Sequence, residues 1–593
     1  MLHEVLEYAR REGLVGPPGF KFKPVRWLLL FDRDGRYLQA LELGDVEAKR
    51  NRGEMIRAPN LELGEMKRGG SGCRHFLVDT AQVVTLLGAE EDDAKAHAKH
   101  HYFVGLLADA SKVFAELAPV AEALADPETA TAIRGDLERR QAGPTENVTF
   151  ALSGAEPERL VEHDAWHDWW QSFRSGLQPE GTGRRMRCLL SGELIEAAPT
   201  HPKIKGLADV GGLSMGDVLP AFKQESFRSY GLRQAANAAM SEEMATTYPT
   251  ALNQLLRERS KKLAGNKVLH WYRETPEVDP VDWLNDPDLA DPEQEEADAL
   301  RRARDLLEAI EAGKRPDLAG NRYYALTLSA NSGRVVVRDW MSGSFENLVR
   351  NVERWFDDLQ VVTRDGQGLT RPPKMYAVLG SLVRDLDELT PPLVAQMWRV
   401  AVQGEPFPQQ AMARALARVR IAVMTDQPVR TAGVGVLKAY LRRQYPNMRE
   451  ELEPMLNPNH PNPAYHCGRL LAILDYVQYR ALGDVGAGVV QRYYGAASTT
   501  PALVLGRLLR LAQFHLAKLD NKRERLGHER RIAEVLDHLE DKIPTTLSLE
   551  EQSLFALGYY QQKAYRPSTG ATTSDTESQD TETLDTETLE ETD

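Results

Sequence analysis

The chain has 593 residues, 42% apolar and 27% charged, which allows two to four domains with real cores and matches ordinary globular composition. No run of about 18 apolar residues suggests a membrane span, and Cys73, Cys188 and Cys467 form no Cys-x-x-Cys, which argues against a disulfide framework or structural zinc and fits a reducing cytoplasm. The net charge of −14 argues against a polyanion partner only until it is divided: 277–298 carries ten acids and 571–593 nine, neither holds Lys or Arg, and setting both aside leaves +5.

The opening MLHEVLEYARREG predicts an amphipathic helix over about 2–12 and lacks the basic-then-apolar blocks of a secretion signal. WLLLFD (27–32), Arg33-Asp34-Gly35 and the apolar run from Tyr37 to Leu43 predict a β-hairpin. A basic, glycine-rich loop follows, with Lys49, Arg50, Arg52, Arg57, Lys67, Arg68, Gly69, Gly70, Ser71, Gly72 and Arg74, and leads into a strand-like segment at 76–88. Such a loop is either a DNA-groove contact or a solvated hairpin tip. Residues 90–141 suit two helices, 147–154 a strand and 157–175 a helix. On that last helix His163 and His167 would share one face, with Asp164 and Asp168 beside them, resembling the zinc-binding His-Glu-x-x-His pattern. Asp164 is one methylene shorter than the glutamate of that pattern and no third ligand is evident, so two surface histidines beside a Trp-rich packing face are the plainer reading, and His97, His100 and His101 are read the same way.

Residues 188–241 are the most informative stretch. His201 to Gly206 reads HPKIKG, Gly211, Gly212 and Gly216 make a glycine-rich loop, and Ser226 to Gly231 reads SFRSYG. Glycine admits close approach of backbone N–H groups to phosphate, and Lys203, Lys205, Arg228 and Arg233 add charge. The alternative is an irregular connection folded over a core. Residues 246–272 read as a helix then a strand, and the proline-broken acidic run 277–298 as a solvated loop before a helix to about Ala312. YYALTLS and RVVVRDW flank Ala330-Asn331-Ser332-Gly333; strict alternation would put Arg334 and Arg338 on one face, for phosphates or for a salt-bridged sheet. Beyond 345 the spacing is helical, with breaks at Pro391-Pro392, Pro406, Pro408 and the loop 457–466. Arg507, Arg510, Lys518, Lys522, Arg523, Arg525, Arg530 and Arg531 form a basic stripe that suits displaced single-stranded DNA or a solvated face. The tail repeats Asp-Thr-Glu-Thr-Leu and reads as disordered.

The order of these pieces resembles the large subunit of the type I-C CRISPR surveillance complex, Cascade (the Csd-one, or Cas-eight-c, family). The resemblance rests on Cys188 to Gly192, His201 to Gly206, Ala221-Phe222, Phe227 to Gly231, Asn237 to Ser241, Asn253-x-Leu-Leu, the 328–338 segment and YYGAASTTPALVLGRLL (493–509); one departure is Lys223, where an asparagine is more usual. It implies a non-catalytic protein, with no cofactor, that recognises the PAM, the short duplex motif beside the target. Lys67, Arg68, Gly69, Ser71 and Gly72 would lie near the PAM, while Lys203, Lys205, Arg228, Asn331, Arg334, Arg338, Arg507, Arg510, Lys518 and Lys522 would follow the nucleic-acid backbone. Implied partners are a CRISPR guide RNA carried by the complex, the backbone and guide-end subunits, target double-stranded DNA and a helicase-nuclease acting in trans. A small subunit started internally at Met455 is a further implied partner, since Arg449-Glu450-Glu451 is encodable as a purine-rich ribosome-binding site.

The expected fold is α+β: a mixed region with β-hairpins and inserted helices over 1–345, a helical connection over 346–454, a helical bundle over 455–566 and a disordered acidic tail over 567–593. The expected location is cytoplasmic, away from membranes. No Walker A ending, acyl-transfer triad or acidic nuclease cluster is evident. The competing reading is a metal-dependent hydrolase or nuclease built on His163, Asp164, His167 and Asp168.

Overall fold

The computed structural model describes residues 1–45, 51, 53–61, 63–177, 185–198, 200–222, 224–285, 299–539 and 543–565. Lys49, Arg50, Arg52, Lys223, the acidic run from 286 to 298 and the tail from 566 onward lie outside the described residues. In chain order the first elements are α1 (Leu2–Arg11), β1 (Phe20–Val25), β2 (Trp27–Phe31), β3 (Tyr37–Glu42), β4 (Glu54–Pro59), α2 (Leu63–Arg68), β5 (Asp79–Thr80), α3 (Ala81–Thr85), α4 (Ala94–Ala110), α5 (Ala118–Ala125) and α6 (Pro127–Arg139). Next come β6 (Asn147–Leu152), β7 (Glu158–Arg159), α7 (His167–Gly176), β8 (Arg185–Arg187), β9 (Leu194–Glu196), α8 (Glu242–Glu258), β10 (Ser260–Leu263), β11 (Asn266–Tyr272), α9 (Pro280–Asn285), α10 (Ala299–Glu311), β12 (Arg322–Asn331) and β13 (Arg334–Ser344). The remainder is helical: α11 (Phe345–Leu359), α12 (Met375–Gly380), α13 (Pro391–Gln403), α14 (Gln409–Met424), α15 (Thr431–Gln444), α16 (Pro463–Leu482), α17 (Val489–Ala497), α18 (Pro501–Ala517), α19 (Lys522–His538) and α20 (Leu549–Ala564). Small sheets in the N-terminal half and helices in the C-terminal half give the α+β class expected. The chain divides into two compact units, one of Met1–Glu277, Asp317–Phe345 and Thr390–Ala395, the other of Val278–Pro316, Glu346–Leu389 and Gln396–Asp593.

In the first unit, β2 and β3 form the hairpin expected from WLLLFD and its glycine turn. Every residue of β2 is buried because apolar groups flank it on both sides: Leu29 and Phe31 join the main core with Phe150 and Trp166, while Leu28 and Leu30 meet Ala151. β6 pairs parallel to β2 and antiparallel to β5. Three expectations change here. The strand-like run 76–88 is strand only at Asp79–Thr80 and then turns into α3, which buries Ala81, Val83 and Val84; packing overrides the β-branched propensity. Residues 90–141 form three helices rather than two, because Asp126 caps α6 through Thr129 N at 2.9 Å and Pro127 occupies its first turn. The helix expected from 157 begins only at His167.

A second core in the same unit packs α1 and α8 on the antiparallel meander β10-β11-β12-β13. Val5 and Ala9 of α1 meet this core with Tyr248 and Leu252 of α8 and Leu326 and Leu328 of β12. β12 is buried along all but its ends, as an inner strand should be. The hairpin to β13 turns through Ser332 (φ 50°) and Gly333 (φ 85°), two successive positive angles that mark a tight type I′ connection.

The second unit is built around α20, in which every residue from Ser553 to Tyr560 is buried. α16 approaches it so closely that a Cβ on Gly468 would lie 2.0 Å from the Phe555 carbonyl oxygen, and one on Gly558 would lie 2.2 Å from that of Tyr465. Both glycines are therefore helix–helix contacts. The Ser548 hydroxyl and the Glu551 carboxylate form a reciprocal capping box at the start of α20.

Candidate nucleic-acid interface

The 188–241 segment divides into residues that hold it together and residues that it presents. Cys188 is buried and its amide donates to the Glu193 carbonyl at 2.8 Å, closing the turn between β8 and β9. His201 is a core residue: Nδ1 lies 3.0 Å from the Tyr248 hydroxyl, and burial lowers its pKa to about 4. Ser241 caps α8 by accepting from Met244 N at 3.3 Å.

The glycine-rich loop also has an internal purpose. Asp217, fully buried, accepts from the Leu213 amide at 3.2 Å with either carboxylate oxygen. A Cβ on Gly212 would stand 2.4 Å from Asp217 Oδ2 and 2.6 Å from the Leu207 carbonyl oxygen, and one on Gly211 would stand 2.5 Å from the Ala330 carbonyl oxygen. The anion that this loop cradles is the protein's own carboxylate, and internal packing accounts for both glycines.

That closure docks the loop on the β12–β13 hairpin. Ile204 pairs with Asp217, and Val218 pairs with Arg334, its amide donating to Gly333 O at 3.0 Å while Val335 N donates to Val218 O at 3.0 Å. Asn253 of α8 fixes the other side, accepting from Lys205 N at 2.7 Å and donating to Lys203 O at 3.4 Å. With Ile204 buried between them, Lys203 and Lys205 are both exposed, as are Asn331 and Arg334 at the hairpin tip. The structure thus brings Lys203, Lys205, Asn331 and Arg334 onto neighbouring, connected segments, although they are far apart in sequence. Arg338 is also exposed, and its Nε donates to Ser329 Oγ at 2.7 Å. A register shift in the β12–β13 pairing between Thr327 and Leu328 interrupts the strict alternation expected from Arg334 to Arg338, leaving Val337 and Arg338 exposed in succession. Arg228 is exposed and paired with Glu225 at 2.7 Å.

Two exposed apolar residues, Leu213 and Met215, carry no role in the sequence analysis, and the exposure of Tyr230 in the SFRSYG segment was not foreseen there. Leu213 and Met215 are exposed within the glycine loop, and Tyr230 is 91% exposed in a left-handed conformation (φ 59°). Their signal was an apolar side chain inside a glycine- and serine-rich stretch with no core periodicity to explain it.

Lys67 and Arg68 do not lie in a loop but end α2, with both side chains exposed and Arg68 Nε donating to the Leu177 carbonyl. Ser71 is exposed. A Cβ on Gly69 would lie 2.4 Å from Cys73 Sγ, and one on Gly72 would lie 2.9 Å from the Ala98 carbonyl oxygen, so packing against the protein accounts for glycine at both positions. α2 is tied down by Glu65, whose Oε1 accepts from Arg174 at 2.9 Å; Arg174 also reaches Glu242 of α8 at 2.7 Å.

His163 and His167 do not share a helical face, because His163 sits in extended backbone (φ −77°, ψ 144°) ahead of α7. His163 Nε2 pairs with Glu158 at 3.1 Å, and His167 packs on Phe20 and Trp166 with ring centroids 4.8 and 4.4 Å away. Among the described residues no group of three or more His, Cys, Asp or Glu is arranged to hold a metal ion. The pairing that suggested a hydrolase is thus absent from the fold.

In the second unit, Arg507, Arg510, Lys518 and Lys522 are all exposed, the first two on α18, Lys518 just beyond it and Lys522 at the start of α19. They are interleaved at helical spacing with Leu503 (78% exposed) and Phe514 (70% exposed), and the Arg507 guanidinium lies 6.0 Å from the Tyr493 ring centroid. The stripe read from the sequence as basic is therefore basic and apolar together. No helix among the described residues is long and apolar enough to cross a membrane. A family model for CRISPR-associated protein (Cas_Csd1) matches residues 2–566. No curated protein matches the chain.

Proposed function

Because the chain belongs to the CRISPR-associated protein family Cas_Csd1, we propose that it is the non-catalytic large subunit of a type I-C RNA-guided surveillance complex (Cascade). In this role the first unit inspects the PAM of duplex DNA and guide–target pairing reads the remaining sequence. Basic surfaces then hold the opened strands, and a helicase-nuclease is recruited to cut. The protein works in the cytoplasm beside the backbone and guide-end subunits and the guide RNA they carry.

The observation that carries the reading is the seam of Lys203, Lys205, Asn331 and Arg334, set on a rigid frame by the Ile204–Asp217 and Val218–Arg334 pairings. Exposed cations on fixed backbone suit phosphates, which need charge and register but no base reading. Lys67, Arg68 and Ser71 sit at the end of a short anchored helix, an arrangement that suits probing a groove edge. Leu213, Met215 and Tyr230 supply apolar wedges of the kind that part base steps.

The test is co-purification with guide RNA and partner proteins, followed by binding to a duplex pool randomised at the PAM. Lys67→Ala with Arg68→Ala changes which duplexes are selected, whereas Lys203→Ala with Arg334→Ala weakens all of them alike and lowers the salt slope of binding by about one for each phosphate no longer neutralised. A chain that fails to co-purify with guide RNA and partners, or a reversed pattern, overturns the reading.

A further product started at Met455 would contain α16 to α20 and lack what covers α20 in the full chain. Gln561 Nε2 donates to Glu453 O at 2.9 Å and Pro454 O at 3.0 Å, and the Tyr560 hydroxyl donates to Val362 O at 2.8 Å. A free C-terminal fragment therefore needs a partner surface in place of these hydrogen bonds.

A further inference from the structure

In the second unit a cavity of about 630 Å³ opens between α16, α19 and the end of α20. Three aromatic side chains reach it while remaining partly exposed: Tyr476, Tyr479 and Tyr565. His528, only 4% exposed, also lines it, and its Nδ1 is buried with no hydrogen-bond partner among the described residues. With Nε2 3.7 Å from Glu524, the neutral ring protonated on Nε2 leaves Nδ1 as an unused acceptor. A buried acceptor without a partner is costly unless something fills it.

Donors are present as well. The side-chain oxygens of Gln478 and Gln491 are occupied by the amides of Val489 and Gly488 at 2.7 and 2.8 Å, and that of Gln562 by Arg469 at 3.0 Å, while the three NH₂ groups make no hydrogen bond among the described residues. Arg531 of α19 lines the same cavity with no carboxylate partner among the described residues. The carboxylate of Asp475 is paired with Lys563 at 3.2 Å, and that of Asp484 with the Gly486 amide at 2.9 Å. Together with Asp426 these acids disfavour a phosphate inside the cavity. Its lining is too polar for a purely apolar ligand.

We infer that this cavity receives an unpaired nucleobase of a single strand. A base supplies a face for tyrosine stacking and an edge carrying both donors and acceptors, and it leaves its own charge outside. Lys522, Arg523 and Arg530 are exposed on α19 but lie well round the helix from His528 and Arg531, so Arg531 is the cation that α19 brings to the cavity. The volume accommodates one nucleotide's base and sugar comfortably. This inference rests on the nucleic-acid role proposed above and adds the site that would grip a base rather than the backbone.

The experiment uses the full chain and two 15-nucleotide single strands, one of mixed sequence with a central 2-aminopurine and one of the same length with abasic sugars throughout. The expected result is quenching of the 2-aminopurine on binding, and affinity for the base-carrying strand reduced by roughly 5- to 100-fold in Tyr476→Ala with Tyr479→Ala, the range for a lost stacked base. Binding of the abasic strand is unchanged by those substitutions and falls steeply with added salt. Both tyrosines are partly exposed, so the thermal midpoint of the double variant stays near that of the parent, and Tyr479→Phe retains the affinity. In a ¹⁵N-histidine spectrum the Nδ1 resonance of His528 moves with the base-carrying strand and not with the abasic one. Equal weakening of both strands, an unmoved His528, or displacement of the strand by an arginine-rich peptide that itself moves His528 overturns the inference. If duplex binding through Lys203 and Arg334 persists while these outcomes fail, the functional reading stands and only the base site is lost.

Discussion

Arg174 should be the most sensitive charged residue of the first unit. It is 3% exposed, and its Nη2 joins Glu65 of α2 at 2.9 Å to Glu242 at the first turn of α8 at 2.7 Å. The Glu242 carboxylate also accepts from the Gly19 amide at 2.9 Å, so one guanidinium links α7, α2, α8 and the segment leading into β1. Arg174→Ala leaves the Glu65 and Glu242 carboxylates without the charge between them. Removing one member of a buried ion pair costs about 3–5 kcal/mol, a large share of the 5–15 kcal/mol that holds a typical domain together. Trp166 and Trp170, both fully buried at the start of α7, give a fluorescence signal for urea unfolding of the whole chain. With a slope of about 2–3 kcal/mol per molar, the midpoint of that transition falls by roughly 1–2 M. Arg174→Met combined with Glu65→Gln and Glu242→Gln recovers most of the loss, because it removes the charges together. A midpoint unmoved in Arg174→Ala, or a triple variant no better than the single one, would refute the reasoning. In the role proposed for the first unit, loss of α2 anchoring also blurs duplex selection, since Lys67 and Arg68 end that helix.

Asp217→Ala removes the acceptor that holds the Leu213 amide and should cost about 2 kcal/mol, read as a drop of about 4 °C in the first unit's melting midpoint. Phosphate should not rescue it, and a variant that instead bound DNA more tightly at unchanged stability would mean that the loop is a phosphate cradle after all. Acid should destabilise both units: His201 in the first, and His460 and His466 in the second, are pushed down to about 4 by burial. Because they stay neutral when folded while the unfolded chain takes up protons below about 6.5, stability is lost as pH falls from about 6.5 towards 4, at about 1.4 kcal/mol per pH unit for each histidine. Urea midpoints measured from pH 7.5 to 4.5 check this, and His201→Gln should remove one proton's share of the slope for the first unit alone.

Elements with strong local signals were legible in the sequence. The first helix, the β2–β3 hairpin, β6 and the β12–β13 turn declared themselves through amphipathic spacing, glycine turns and apolar runs. What failed did so for tertiary reasons. The Val-Val-Thr of α3 carries strand propensity, yet one helical turn buries it better. The histidines at 163 and 167 matched a helical spacing, but the helix starts only at the second of them. Strict alternation along β13 was sound until the register shift. The seam that joins Lys203 and Lys205 to Arg334 was invisible, because it depends on two isolated β-bridges and on a buried aspartate that nothing local distinguishes from a surface one.

That aspartate changes how the glycine-rich signature should be understood. A row of glycines beside lysines suggests backbone amides held open for phosphate, and chemically the loop does cradle an anion. The anion is Asp217, however, and its burial is what sets the loop against Ala330 and Val218 against Arg334. With the Gly212, Leu213 and Gly216 amides spent internally, recognition in the proposed role falls to the side chains that the closed loop displays, namely the two lysines, the hairpin arginine and the apolar tips Leu213 and Met215. Amides held open for a phosphate have no protein acceptor until the ligand enters. A loop closed on its own carboxylate is already in place before any ligand arrives, which suits the proposed role of testing many duplexes briefly and rejecting most of them.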